Sequence, residues 1–153
     1  MRQSPLILDN YFVTELIFSA NKDYDPAQEG GLGLDELIIE PTCLPAEDGN
    51  HQWQGSLSIR FQPKAETNYP YTFSLELVGF FSVLGDPSPE REEFLVKTNA
   101  PSMLFGAARE IIRSATSRGP FSPILLPSVS FYEPKKSDDD PPTEQAAEPP
   151  TAQ

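Results

Sequence analysis

Apolar and polar positions alternate most cleanly across residues 52–62. There Trp53, Leu57, Ile59 and Phe61 fall on one side of an extended chain and Gln54, Ser56, Ser58, Arg60 and Gln62 on the other, with Gly55 the only break. That period of two predicts a strand with one face on a core. Residues 71–83 predict another: Tyr71, Phe73, Leu75, Leu77, Phe81 and Val83 share one side, while the opposite side is polar at first and turns apolar at Val78 and Phe80. Residues 6–20 hold Tyr11, Phe12, Val13, Leu16, Ile17 and Phe18, so both faces of this first strand are apolar somewhere and both need cover. Residues 34–40 predict a shorter strand that ends at Pro41, followed by a connection over 42–49. The stretch 21–33 is rich in Asn, Asp, Pro and Gly and reads as a loop, and 63–70, PKAETNYP, reads as a turn-rich link.

The period changes to 3.6 at residues 104–115. Leu104, Phe105, Ala108, Ile111, Ile112 and Ala115 form one stripe, with Ser102, Gly106, Arg109, Glu110 and Arg113 on the other face. Asn99 suits an N-cap and Pro101 a first turn, so the helix is expected to begin there and residues 85–93 to form a solvated loop. Gly119 is expected to end it with a positive φ, and Pro120 cannot continue it. Residues 121–131 are apolar but interrupted by Pro123 and Pro127, which predicts an extended ribbon. Four strands joined by turns and then one helix make an α+β fold: a four-stranded antiparallel sheet, a meander, packed by one main amphipathic helix.

The chain has 153 residues, 17 of them proline, and 38% apolar content, which suggests a single domain with a modest core plus an unstructured portion. Residues 1–133 are expected to fold. Residues 134–153 continue a run, EPKKSDDDPPTEQAAEPPTAQ, with no aliphatic side chain larger than alanine, so a disordered acidic tail is expected. A formal net charge of −12 argues against nucleic acid and anionic membrane surfaces as partners. The one cysteine fits a reducing compartment, and the first apolar run stops at Asp9, short of a signal peptide's core. With no apolar run long enough to span a bilayer, a cytoplasmic protein without membrane insertion is expected.

No catalytic constellation emerges, and an enzyme is not expected. His51 lies beside Trp53 without a nucleophile motif and reads as a surface histidine; the glycines of 30–33 lack the lysine of a phosphate loop. Asp138, Asp139 and Asp140 lack the remainder of a calcium loop, and Cys43 has no charged activator nearby, so neither a metal nor a cofactor is expected. What stands out is surplus apolar surface. Leu37, Ile39, Val78, Phe80, Phe121 and Leu125 are candidates for an exposed binding groove or, equally, for a subunit interface. Ala107, Arg109 and Arg113 would face a partner helix or solvent.

Residues 99–131, with SMLFGAARE at the helix, SRGPF at the break and LLPSVSF at the exit, resemble the SecB protein-export chaperone family, whose members typically read NILFPYARE, RGTFP and LAPVNF there. TELIFSA (14–20) and LVGFFSVLG (77–85) resemble the family's strands, in matching order over most of residues 6–132. The resemblance implies a homotetramer, a dimer of dimers, that holds unfolded polypeptides and preproteins in apolar grooves without ATP and hands them to the motor SecA. It implies a helix interface at Gly106, Ala107, Arg109 and Arg113, and a motor contact at Glu15, with Glu76 as a substitute near Ser74. A SecB-like chaperone dedicated to one partner, such as an antitoxin, is the alternative. The family's second helix is expected to be absent or no more than a turn, because Pro134 follows the last ribbon residues.

Overall fold

The computed structural model describes residues 3–47, 49–64 and 66–132. The expected tail, its boundary at residue 133, the question of a second helix, and Asp138 to Asp140 lie outside them. The elements run β1 (Leu6–Ala20), a 3-10 turn (Leu34–Glu36), β2 (Leu37–Pro45), β3 (Gln52–Phe61), β4 (Tyr71–Val83) and α1 (Pro89–Thr116). All four strands pair antiparallel in the order β1-β4-β3-β2. The meander therefore covers β2 to β4, while β1 crosses to the far edge and pairs with β4 instead of with β2.

The alternation in β3 and β4 places Trp53, Leu57, Ile59, Phe61, Tyr71, Phe73, Leu75, Leu77 and Phe81 on the face that α1 covers, all buried. Phe61 and Phe73, opposite each other in the register, stack with centroids 5.5 Å apart. From the helix, Val96, Ala100, Leu104, Phe105, Ala108 and Ile112 complete this core; burying each larger side chain is worth about 1.5–3 kcal/mol. Gly55 and Gly79 face each other across β3 and β4 beneath the helix. A Cβ on Gly79 would come within 2.7 Å of Leu104 Cδ2, and one on Gly55 within 2.9 Å of Phe81 Cε2. The break in the β3 pattern is thus where the Phe81 ring and the Leu104 side chain of α1 take up the space a side chain would need.

Three boundaries differ from expectation. The helix begins at Pro89 with Ser88 as its N-cap residue, so SPEREE is its first turn and not a loop. Proline at N1 costs no hydrogen bond and Glu90 and Glu92 suit the positive end of the helix dipole, signals stronger than those around Asn99. Asn99 sits in mid-helix, donating to the Leu95 carbonyl at 2.7 Å, and Pro101 lies inside the helix and is buried. Second, Gly119 does not adopt a positive φ; the glycines that do are Gly49 and Gly85. Its Cβ would fall 2.5 Å from the Tyr71 hydroxyl, so close approach is what its position demands. Third, β2 runs through Pro41 to Pro45. Ala46 donates to the Gln52 carbonyl at 2.8 Å, in register with the β2–β3 ladder, so even-numbered residues bond to β3 and the prolines point their nitrogens outward, where no ladder bond is lost.

After α1 the ribbon doubles back along it. Thr116 Oγ1 accepts the Ile124 N–H at 3.0 Å, Arg109 Nε donates to the Leu126 carbonyl at 3.0 Å, Phe131 meets Phe105 at 5.9 Å and Tyr132 meets Phe94 at 6.4 Å. Ile124 and Leu126 are buried and Leu125 is 67% exposed, the alternation of an extended chain.

Candidate functional site

Because α1 lies over the middle of the sheet and the ribbon returns along it, the flank of β2 is left open. A groove of about 680 Å³ forms there. Its walls are Ile39, Pro41 and Cys43 from β2, Phe94, Lys97, Thr98 and Pro101 from α1, and Val129, Ser130 and Phe131 from the ribbon. Burial pushes the Cys43 thiol pKa up, with the Lys97 charge opposing it in part. The lining is chiefly apolar, with Lys97 its one charged side chain, and Lys97 is paired with Glu93.

Of the six groove candidates, only Ile39 lines this groove. Leu37 shares its face of β2 and packs against the core. Val78 and Phe80 lie on the opposite face of the sheet, where Phe80, 41% exposed, meets Phe12 edge-on at 6.1 Å. Phe121 sits at the other end of the helix against Tyr71 and Tyr24, with centroids 5.8 and 4.9 Å away. Leu125 points to solvent from the ribbon. Strand alternation shows which residues share a face but not which face the helix covers, so the six were drawn from both. Phe94, Lys97 and Thr98 were missed because their segment was read as preceding the helix, and Pro101 because it was read as a first-turn residue; with the start at Pro89, the spacing of the four puts them on one helical face.

A second apolar surface lies along β1. Phe12, Val13, Leu16, Ile17 and Phe18 are 37 to 56% exposed, and the register puts Phe12 and Ile17 on the outer face and Leu16 and Phe18 on the helix side. Both faces of this edge strand are thus apolar and only partly covered within the protomer. Glu15 and Glu76 are cross-strand partners on the outer face, and Glu15 accepts the Ser74 hydroxyl at 2.6 Å. On α1, Gly106 is exposed with open space where a Cβ would stand, Ala107 is half-buried, and Arg113 pairs with Glu110 at 3.7 Å. Arg109 differs from expectation: its bond to the Leu126 carbonyl ties it to its own ribbon.

His51 is not a free surface side chain. Its Nδ1 lies 2.6 Å from Glu92, and the other oxygen of that carboxylate accepts the Trp53 indole N–H at 2.7 Å. Its Nε2 is 3.8 Å from Asp86. Among the described residues its charged neighbours are both carboxylates, and the cluster fastens the first turn of α1 to β3. No grouping of three or more His, Cys, Asp or Glu fit for a metal occurs among the described residues, and no helix there is long and apolar enough to cross a membrane.

A four-stranded antiparallel sheet, one long helix across it and an extended return define the architecture of a SecB-like chaperone domain. A family model described as preprotein translocase subunit SecB matches residues 42–134, and the chain belongs to the SecB family. It is 35% identical over 118 residues to the protein-export protein SecB of Saccharophagus degradans, covering 72% of this chain and 69% of that one. To the protein of the same name from Rhodopseudomonas palustris (strain TIE-1) it is 35% identical over 83 residues, 54% of this chain. The chain spans about half the length of that relative, 52%. The fold is also that of the Mycobacterium tuberculosis SecB-like chaperone Rv1957, solved in complex with a ChAD peptide from the Rv1956 HigA1 antitoxin: TM-score 0.62, 20% identity, 82% of this chain and 91% of that one.

Proposed function

We propose that this chain is an ATP-independent holdase that takes extended apolar segments of unfolded preproteins into the groove beside β2 and keeps them competent for export. The observation that carries this reading is the groove itself: open to solvent, chiefly apolar, and walled by three elements, with Lys97, Thr98 and Ser130 as its polar side chains. Such a surface binds by burial of apolar area, which is non-directional and tolerates many sequences. The excess of acidic residues favours basic clients and keeps a loaded complex soluble. The two-faced apolar edge of β1 supports assembly into a dimer of dimers, with Gly106 and Arg113 exposed on the helix and Ala107 half-buried beside them. Glu15 and Glu76, adjacent on the outer face, are the proposed contact for SecA. The protein is placed in the cytoplasm on this reading.

The test is suppression of aggregation: the full chain, without nucleotide, is mixed with a chemically denatured client at stoichiometric ratio and light scattering is followed. Suppression supports the reading, and unaltered aggregation overturns it. A second reading, a chaperone dedicated to one antitoxin-like partner, is favoured by the antitoxin peptide bound to the structurally similar Rv1957. Capture of one dominant client by the full chain would favour it over general export.

A further inference from the structure

The two edges of the sheet differ in backbone chemistry. With the even residues of β2 bonded to β3, the odd ones, Leu37, Ile39, Pro41, Cys43 and Pro45, turn their backbone groups outward. Two of these five are prolines. At 41 and 45 the outer edge therefore lacks a donor, and each ring fills space that a partner backbone would need. β1 contains no proline from Leu6 to Ala20. Ile39, Pro41 and Cys43 are also the residues whose side chains form the β2 wall of the groove. A segment lying in the groove thus runs beside an edge whose run of donors is broken in its middle and at its end.

We propose that Pro41 and Pro45 prevent the β2 edge from accepting a partner as a fifth strand, so that the groove holds an extended apolar segment through its side chains, and sheet-to-sheet pairing is restricted to β1. This inference rests on the holdase reading and narrows it. Strand addition would take any polypeptide by its main chain, including further copies of the same protein. A side-chain groove instead selects apolar content without fixing a backbone register. The missing donors keep the mouth of the binding site from serving as a template for aggregation of the chains it holds.

The experiment uses the full-length protein, its Pro41→Thr/Pro45→Thr variant, and a short proline-free peptide alternating leucine and lysine. Hydrogen exchange is read at the outward amides of Leu37, Ile39 and Cys43. In the wild type the peptide binds, and these amides change by less than about twofold. In the variant they slow by about tenfold or more, and the free variant forms larger assemblies than the wild type. Slowing of about tenfold in the wild type overturns the inference while leaving the holdase reading intact, as does a variant that matches the wild type in exchange and mass. Failure of the peptide to bind the wild type at all overturns the groove reading and this inference with it.

Discussion

Trp53 donates its indole N–H to Glu92 at 2.7 Å, and through that bond the start of β3 holds the first turn of α1. Removing the carboxylate leaves a buried donor without an acceptor, so Glu92→Ala is expected to cost about 1–3 kcal/mol, read from the urea midpoint. Glu92→Gln keeps an acceptor and should cost less. Burial pushes the Glu92 pKa up, but the hydrogen bonds from Trp53 and His51 and the His51 charge together bring it below the ordinary carboxylate range. A depressed folded pKa adds stability that is present above the unfolded value, about 4.3, and lost as pH falls through the folded one. The stability gap between wild type and Glu92→Gln should therefore shrink as pH is lowered from about 5.

Gly79 and Gly106 predict opposite outcomes for the same substitution. Gly79→Ala drives a Cβ to 2.7 Å from Leu104 and should destabilise the chain by about 1–3 kcal/mol. Gly106 has open space in the protomer, so Gly106→Ala should raise helix stability by about 0.8–1 kcal/mol. Thermal unfolding of both variants checks this, and Gly106→Leu, which leaves the protomer intact, should lower the mass in solution if the exposed helix face packs on another subunit.

Much of this fold could be read from the chain because β3 and β4 are buried on one face only, and a period of two then marks the core directly. β1 was also legible as two-sided, a property that the edge position explains. The helix start was not, since Pro101 and Asn99 imitate an N-terminus, and only the structure places the Pro101 ring inside the helix, buried at the groove. The groove was poorly legible for a related reason. Its walls come from three separate segments, and no periodicity within one segment reports that Phe94, Ile39 and Phe131 meet.

Tyr71 holds the ribbon where it leaves the helix. Its hydroxyl accepts the Phe121 N–H at 2.9 Å and donates toward the Phe121 carbonyl at 2.9 Å, with the Thr116 carbonyl 3.2 Å away. Tyr71→Phe removes these bonds while keeping the ring, and should cost about 1–3 kcal/mol. Because the same ribbon carries Phe131 to the groove, peptide affinity is expected to fall along with stability; Phe121→Ala, which preserves the hydroxyl bonds, should lower stability by lost packing.

Cys43 offers a reporter inside the groove. Its thiol pKa is raised chiefly by burial, with Lys97 opposing, so little thiolate is present near neutral pH and alkylation by iodoacetamide should be slower than for an exposed cysteine. Adding the leucine–lysine peptide should slow it further. Equal rates with and without saturating peptide would place the occupant elsewhere.

The edge strand supplies the last prediction. Leu16 and Ile17 are neighbours on opposite faces of β1, 43% and 56% exposed, and contribute little to the protomer's own core. Leu16→Lys/Ile17→Lys should therefore leave folding stability within about 0.5 kcal/mol. If β1 pairs with another copy, the charges must be desolvated at the interface, and the assembly should fall apart into protomers. Analytical ultracentrifugation distinguishes the cases, since a wild type already monomeric would leave β1 without the partner that its two apolar faces require, and a variant that keeps the wild-type mass would assign assembly to the exposed helix face alone.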